Sequence, residues 1–273
     1  MLMYHQEHEA GLTVGCMDVP LAQASEFGIL SVDANGKIQK FEEKPASPTP
    51  MPSDPQLAMA SMGIYVFSMD LLLEVLNADA RQKNSTHDFG KDIIPGLIET
   101  EKVFAYHFGG EGGRVTPDRY WRDVGTLDSF YEANMDLLKP VPPIDLYQAD
   151  WPIRTYQSQN PPARTVPGDE GSEGIFINSI AAGGVVVSGG SVQHSILFPH
   201  VFVDDEAVIH DSILFNGVRV GKAAQLQHCI IDKDVVIPAG EQIGFDKEKD
   251  SVRFTITENG VVVVPKNYSF TNN

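Results

Sequence analysis

Two short runs set cations and carboxylates side by side in this 273-residue chain: Phe41-Glu-Glu-Lys-Pro45 and Tyr120-Trp-Arg-Asp-Val-Gly-Thr126. An ionised glutamate such as Glu43 only accepts hydrogen bonds, which suits sugar hydroxyls, and the compact ammonium of a lysine such as Lys44 serves phosphates as a point charge. An aspartate such as Asp123 offers the hard oxygen of which a hydrated divalent cation needs only one or two from protein. Plainer readings stand beside these. Lys44 and Glu43 could be solvated residues after a hairpin, Asp123 could pair with Arg122, and Phe89 and Trp121 could be ordinary core aromatics.

Other chemistry is excluded or unsupported. The chain has 20 Lys and Arg against 37 Asp and Glu, a net charge of −17. No nucleic-acid partner is expected, because such partners are held by cations that displace counterions. Cys16 and Cys229 stand far apart without metal-ligand spacing, so neither a disulfide framework nor a zinc site is expected and a cytoplasmic location fits. The apolar stretch 175–187 is too short and too broken by glycine to span a bilayer, and no membrane partner is expected. The histidines form no metal cluster, and no Ser-His-Asp or Cys-His arrangement suggests covalent catalysis. The run Gly109-Gly-Glu-Gly-Gly113 lacks the strand, helix, Lys and Ser/Thr of a phosphate loop and reads as surface loop.

The elements that must position these residues alternate between strand and helix over 1–139. Residues 1–11 read as a short helix closed by Gly11, and 12–19 as a buried strand. Residues 28–33 and 37–41 read as the arms of a hairpin around Ala34-Asn-Gly36, which delivers Glu43 and Lys44 at its end. The proline-rich loop 45–55 leads to a strand at 63–67, and Ser68 is placed to cap the helix holding Leu71, Leu72 and Leu76. A helix after Asp88, a strand over 103–108 and a helix capped by Thr126 follow. Residues 140–167, rich in proline, read as a connector. In the second domain, 168–273, His194-Ser-Ile-Leu-Phe198, Asp211-Ser-Ile-Leu-Phe215 and His228-Cys-Ile-Ile-Asp232 recur every 17 residues. Apolar positions about six apart within that repeat mark a hexapeptide parallel β-helix, whereas an antiparallel sandwich would need no such register. Coils of this kind are stable only when stacked, so a homo-oligomer is expected.

With Ser61-Met-Gly-Ile-Tyr65, His87-Asp-Phe-Gly-Lys-Asp92 and Asp150-Trp-Pro-Ile-Arg-Thr-Tyr156, the two opening runs make five motifs in order. The series resembles the glucose-1-phosphate adenylyltransferases, also called ADP-glucose pyrophosphorylases, of the bacterial glycogen type, from residue 1 to about residue 265. The resemblance implies an α/β chain: the C-terminal, sugar-phosphate half of a Rossmann-like nucleotidyltransferase domain, followed by a left-handed parallel β-helix. It also implies the reaction of ATP with glucose 1-phosphate, with Mg2+, to give ADP-glucose and pyrophosphate for glycogen synthesis. By the same resemblance Lys44 and Asp123 are catalytic, Lys44 meeting the sugar phosphate and Asp123 ligating Mg2+. Glu43, Lys44, Ser61, Tyr65, Asp88, Phe89 and Trp121 then bind glucose 1-phosphate.

The chain departs from the resembled family at two places. The family's glycine-rich nucleotide loop and its first metal carboxylate have no counterpart, so a truncated chain with impaired or no activity alone is expected, taking ATP or ADP-glucose only if the missing part is supplied. A parallel sheet without its first strands should expose unpaired edges and make the isolated chain poorly soluble. Gln225, Gln227 and His228 stand where the family's effector region usually carries arginines, leaving Arg219, Lys222 and Arg253 as nearby cations. The competing readings are a non-catalytic regulatory or scaffold subunit with a vestigial pocket and, by fold analogy alone, a hexapeptide acyltransferase.

Overall fold

Leu12, Thr13, Val14 and Cys16 have no solvent exposure. The strand they belong to, β1 (Leu12–Pro20), must therefore be covered on both faces, since successive side chains of a strand point to opposite sides. The computed structural model describes residues 1–109, 120–149, 152–156, 158–169 and 171–270. In it, β1 joins β2 (Gly28–Val32), β3 (Ile38–Glu43), β4 (Leu57–Phe67) and β5 (Val103–His107). The sheet order is β3-β2-β4-β1-β5. Only β1 and β5 run parallel, while β2, β3 and β4 pair antiparallel. The sheet is thus mixed, not the parallel one read from the alternating signals, because a tight hairpin and a long return strand bring the chain back without helical crossovers.

Local chemistry explains where these elements turn and stop. The Asp33 carboxylate accepts from Asn35 N (2.8 Å) and Lys37 N (3.0 Å), and Gly36 takes a left-handed φ of 79°, which closes the β2–β3 hairpin. Strand β4 starts at Leu57 rather than Gly63, because Ala58 and Ala60 are small enough to bury against Val19, Ala24 and Ile29. Its register against β1 shifts where Gly15 faces Ile64 and Cys16 faces Ser61, leaving Met62 and Gly63 as a bulge with Gly63 at φ 69°. Helix α1 (Leu2–Glu7) is shorter than the sequence suggests. It is followed by Glu9 at φ 46°, and Gly11 instead donates its N–H to Lys102 O (2.9 Å). Ser68 stands at the N-cap of α2 (Met69–Asp79), yet its hydroxyl donates to Ala10 O (3.1 Å) and not to the helix. Asp88 caps a π-helical turn, Phe89–Ile93, that opens α3 (Ile94–Thr100). These elements form one compact unit, residues 1–119, whose core includes Leu12, Val14, Ile38, Ile94 and Val103.

The second unit, residues 120–273, is built on parallel coils with three strand stacks. Ser191 faces Val208, Ile213 faces Ile230 and Val220 faces Ile237, each 17 residues on. Val192, Ile209, Leu226 and Ile243 stack as one inward column with no exposure. The preceding coil is one residue shorter: Ile180 faces Ile196, 16 residues on, because the turn through Gly189 and Gly190 is tighter than the one through Asp204, Asp205 and Glu206. At one corner His194, Asp211 and His228 repeat a left-handed conformation, with φ of 45°, 47° and 51°.

Segment 120–139 belongs to this second unit. Thr126 caps helix α4 (Leu127–Met135) through a capping box with Ser129, as its sequence suggests. Tyr131 is buried and donates to Asp211 O (2.6 Å), Phe130 stacks on Phe215, and the Thr257 hydroxyl donates to Asp128. The units thus divide ahead of the 140–167 connector, and a strand at Arg164–Val166, inside that connector, already pairs with Val186–Ser188. Gly110 to Gly113, and Asp150 and Trp151 of the fifth motif, lie outside the described residues. Among the described residues no helix is long and apolar enough to cross a membrane.

Candidate functional site

Strand β3 ends at Glu43, and the next residue, Lys44, takes a left-handed φ of 45° while its N–H donates to Phe27 O (3.1 Å). That kink turns the chain off the sheet and leaves the Lys44 side chain exposed, in no ion pair among the described residues. Glu43 is half-buried beside two glycines. A Cβ at Gly28 would come within 3.0 Å of its Oε2, and one at Gly90 would collide with it. Burial raises the pKa of Glu43, the Asp88 charge raises it further, and the charges of Lys44 and Lys91 oppose the rise.

The loop before α3 is held by its own carboxylates. Asp88 Oδ1 accepts from Gly90 N (2.8 Å) and Lys91 N (2.9 Å). Asp92 Oδ2 accepts from Thr86 Oγ1 (2.6 Å), Thr86 N (3.1 Å) and Asp88 N (3.0 Å). His87, left-handed at φ 60°, lies 2.6 Å from Asp79 through Nδ1. This framework sets Phe89 against Tyr65, stacked with ring centroids 5.7 Å apart, and against Phe67 at the same distance. Burial raises the Tyr65 pKa, a hydrogen bond with Ser61 opposes this, and the charges of Glu43 and Asp88 add to the rise. Ser61 itself is buried at the β4 bulge, where its Oγ accepts from Gly63 N (3.2 Å).

The structure therefore gathers Glu43, Lys44, Ser61, Tyr65, Asp88 and Phe89 within the first unit. Phe89 also packs on the core, as the plainer reading of it expects. The reading missed Lys91, a second cation within electrostatic reach of Glu43. Its signal was in plain view, inside the motif His87-Asp-Phe-Gly-Lys-Asp92.

Trp121 and Asp123 lie in the second unit, on the irregular stretch before α4. Arg122 does not pair with Asp123. Its guanidinium reaches Asp136 Oδ2 (3.1 Å from Nη2, 3.2 Å from Nε) and Glu132 (3.6 Å). Asp136 is buried, which pushes its pKa up, but Lys139 (2.6 Å), Arg122 and the Tyr120 hydroxyl outweigh burial and hold it low. Asp123 is left exposed, in no ion pair among the described residues. It is one hard oxygen donor, and no group of three His, Cys, Asp or Glu able to hold a metal occurs among the described residues. Of the cations near the coils, Arg253 is engaged by Glu241 (3.0 Å) and Asp250 (3.1 Å), and Arg219 lies over the Phe202 ring.

Known proteins share both halves of the chain. A family model described as nucleotidyl transferase matches residues 1–140, and one described as GlmU-like, C-terminal hexapeptide matches residues 161–264. A glucose-1-phosphate adenylyltransferase 2 of Vibrio cholerae is 56% identical over 270 residues, covering 99% of this chain and 66% of the relative. The enzyme of the same name from Vibrio parahaemolyticus is 57% identical over 99% of this chain and 67% of its own length. A glucose-1-phosphate adenylyltransferase of Alteromonas mediterranea is 47% identical over 97% of this chain and 62% of its own length. The chain thus spans about two thirds of the length of the relatives it matches.

Proposed function

From its membership of the glucose-1-phosphate adenylyltransferase family, which its relatives and its nucleotidyl transferase match establish, we propose that this chain binds glucose 1-phosphate for adenylyl transfer from ATP. The products are ADP-glucose, a glucosyl donor for glycogen synthesis, and pyrophosphate. The reading rests on an exposed lysine in no ion pair among the described residues, kinked off the end of β3, beside a half-buried Glu43 and a Tyr65–Phe89 aromatic pair.

In such a transfer a phosphate oxygen of the sugar phosphate attacks the α-phosphorus of ATP in line, and the protein mainly positions the partners and neutralises charge. Lys44 holds the sugar phosphate as a point cation. Glu43 accepts from sugar hydroxyls, and Asp88 keeps the Phe89 loop in place through its backbone bonds. The exposed Asp123 carboxylate, free of Arg122, is the residue of this chain suited to ligate a divalent metal such as Mg2+. A metal bound there would supply charge stabilisation at the transferring phosphorus. Trp121 belongs with Asp123 by its motif. The coils of the second unit favour self-association, because a stack of strands leaves its terminal coil unpaired.

The test is pyrophosphate release from ATP and glucose 1-phosphate with Mg2+, comparing the chain with Lys44→Ala. Release that Lys44→Ala abolishes supports the reading. Glucose 1-phosphate binding without any release would favour a regulatory or scaffold subunit that keeps the sugar-phosphate pocket.

A further inference from the structure

Asp79 is an acid in an unfavourable place. It ends α2, where the negative end of the helix dipole disfavours a carboxylate, and it is only 7% exposed. The last turn, Leu76-Asn-Ala-Asp79, carries no basic residue to offset it. Close by, His87 holds a left-handed φ of 60°, which is costly for a residue with a side chain, and Phe89–Ile93 form a π-helical turn, a rare conformation. Locally unfavourable features gathered in one segment point to a functional demand on it.

The Asp79 carboxylate holds His87 in that conformation from two directions. The Ser85 hydroxyl donates to Asp79 Oδ1 (2.5 Å), and the backbone N–H of His87 donates to Ser85 Oγ (2.9 Å). The hydrogen bonds from Ser85 and His87 keep the Asp79 carboxyl below the usual carboxylate range. It is therefore ionised and can only accept, so the His87 ring donates Nδ1–H to Asp79 Oδ2 (2.6 Å). The ties continue along the loop: Asp92 accepts from Thr86 and from Asp88 N, and Asp88 accepts from Gly90 N and Lys91 N. Of these three carboxylates Asp79 alone lies outside the loop, on a helix whose Leu71 and Val75 pack on the core of the first unit.

We infer that Asp79 and His87 are positioning residues for the sugar-phosphate site. They act through loop 85–92, fixing it to α2 so that the Phe89 ring stacks on Tyr65 and the Gly90 backbone lies against Glu43, where a Cβ would collide. The inference deepens the proposed function and rests on it.

Calorimetric titration with glucose 1-phosphate and amide hydrogen exchange, on the chain, Asp79→Asn and His87→Gly, test it. Asparagine offers one acceptor oxygen where Ser85 and His87 use two, and glycine accepts the left-handed backbone while removing the ring. Both variants should bind glucose 1-phosphate about tenfold more weakly, the worth of one hydrogen bond to a charged group. Without ligand, their Gly90 and Lys91 amides should exchange about tenfold faster than those of the chain. The thermal melt of His87→Gly should stay close to that of the chain, because relief of backbone strain offsets the lost tie. Binding by the chain with equal affinity in both variants overturns this inference alone. So does a lowered melt with affinity unchanged, which would assign the pair to stability only. No binding by the chain itself overturns the proposed function, and this inference with it.

Discussion

The two units bury their strands by different means. In the coils each interior strand is flanked by equivalent strands one turn before and after, so Leu226 sits between Ile209 and Ile243 and has no exposure. In the first unit β1 is covered on both faces, yet its neighbour β4 loses its second partner halfway along. Repetition supplies the coils with self-consistent contacts at every level. The first unit, with no repeat, places single residues such as Lys44 and Asp88 where chemistry is possible and, among the described residues, leaves part of the β4 edge unpaired.

The largest effect that would sharpen this contrast is a cavity in the coils. Leu226→Ala should destabilise the second unit by about 2–5 kcal/mol, the usual range for a fully buried leucine. In a thermal melt followed by a probe in each unit, only the second unit should melt earlier; an equal shift of both would break the contrast. The cysteines provide a milder test. Burial pushes the thiols of both Cys16 and Cys229 up to about 12, so neither reacts at neutral pH without local opening. Cys16, on β1 of the open-edged sheet, should be labelled by a thiol reagent roughly tenfold faster than Cys229 in the coils. Labelling in the reverse order would contradict the account.

Smaller still is Tyr131→Phe, which removes the hydrogen bond to Asp211 O (2.6 Å) between α4 and the coils. About 1 kcal/mol of stability should be lost, read from the denaturation midpoint of the second unit with that of the first unchanged. The smallest effect belongs to Glu43→Gln. Glu43 has a folded-state pKa raised by burial and by Asp88, so its ionised form is disfavoured in the fold. At neutral pH the substitution should therefore raise the melting temperature of the first unit slightly. The gain should shrink as pH falls below the raised pKa and vanish at the ordinary glutamate value, where the carboxyl is neutral in both folded and unfolded states. A gain that grew at low pH would reverse the sign of the argument.

The coils were legible because inward aliphatics recur at a fixed offset, and they became obscure where that offset fell to 16 through Gly189 and Gly190. The hairpin was legible from Ala34-Asn-Gly36, although Asp33 proves to be the residue that ties the turn. The allegiance of α4 was not legible. Phe130 and Tyr131 look like any apolar pair on a helix, and only the three-dimensional neighbours Phe215 and Asp211 reveal what they pack against. At the candidate site, Glu43, Tyr65 and Phe89 could be picked out from their motifs, whereas the partner of Arg122 and the nearness of Lys91 to Glu43 depend on contacts that no local spacing encodes.

The central claim is that the end of β3 holds a sugar phosphate. Calorimetric titration of the chain with glucose 1-phosphate tests it most directly, alongside Lys44→Ala and inorganic phosphate. The account predicts saturable binding of glucose 1-phosphate, weakened at least tenfold by Lys44→Ala, with inorganic phosphate binding more weakly because it offers nothing to Glu43 or the aromatic pair. Equal affinity of the chain and Lys44→Ala for glucose 1-phosphate, in samples with the same thermal melt, would contradict it.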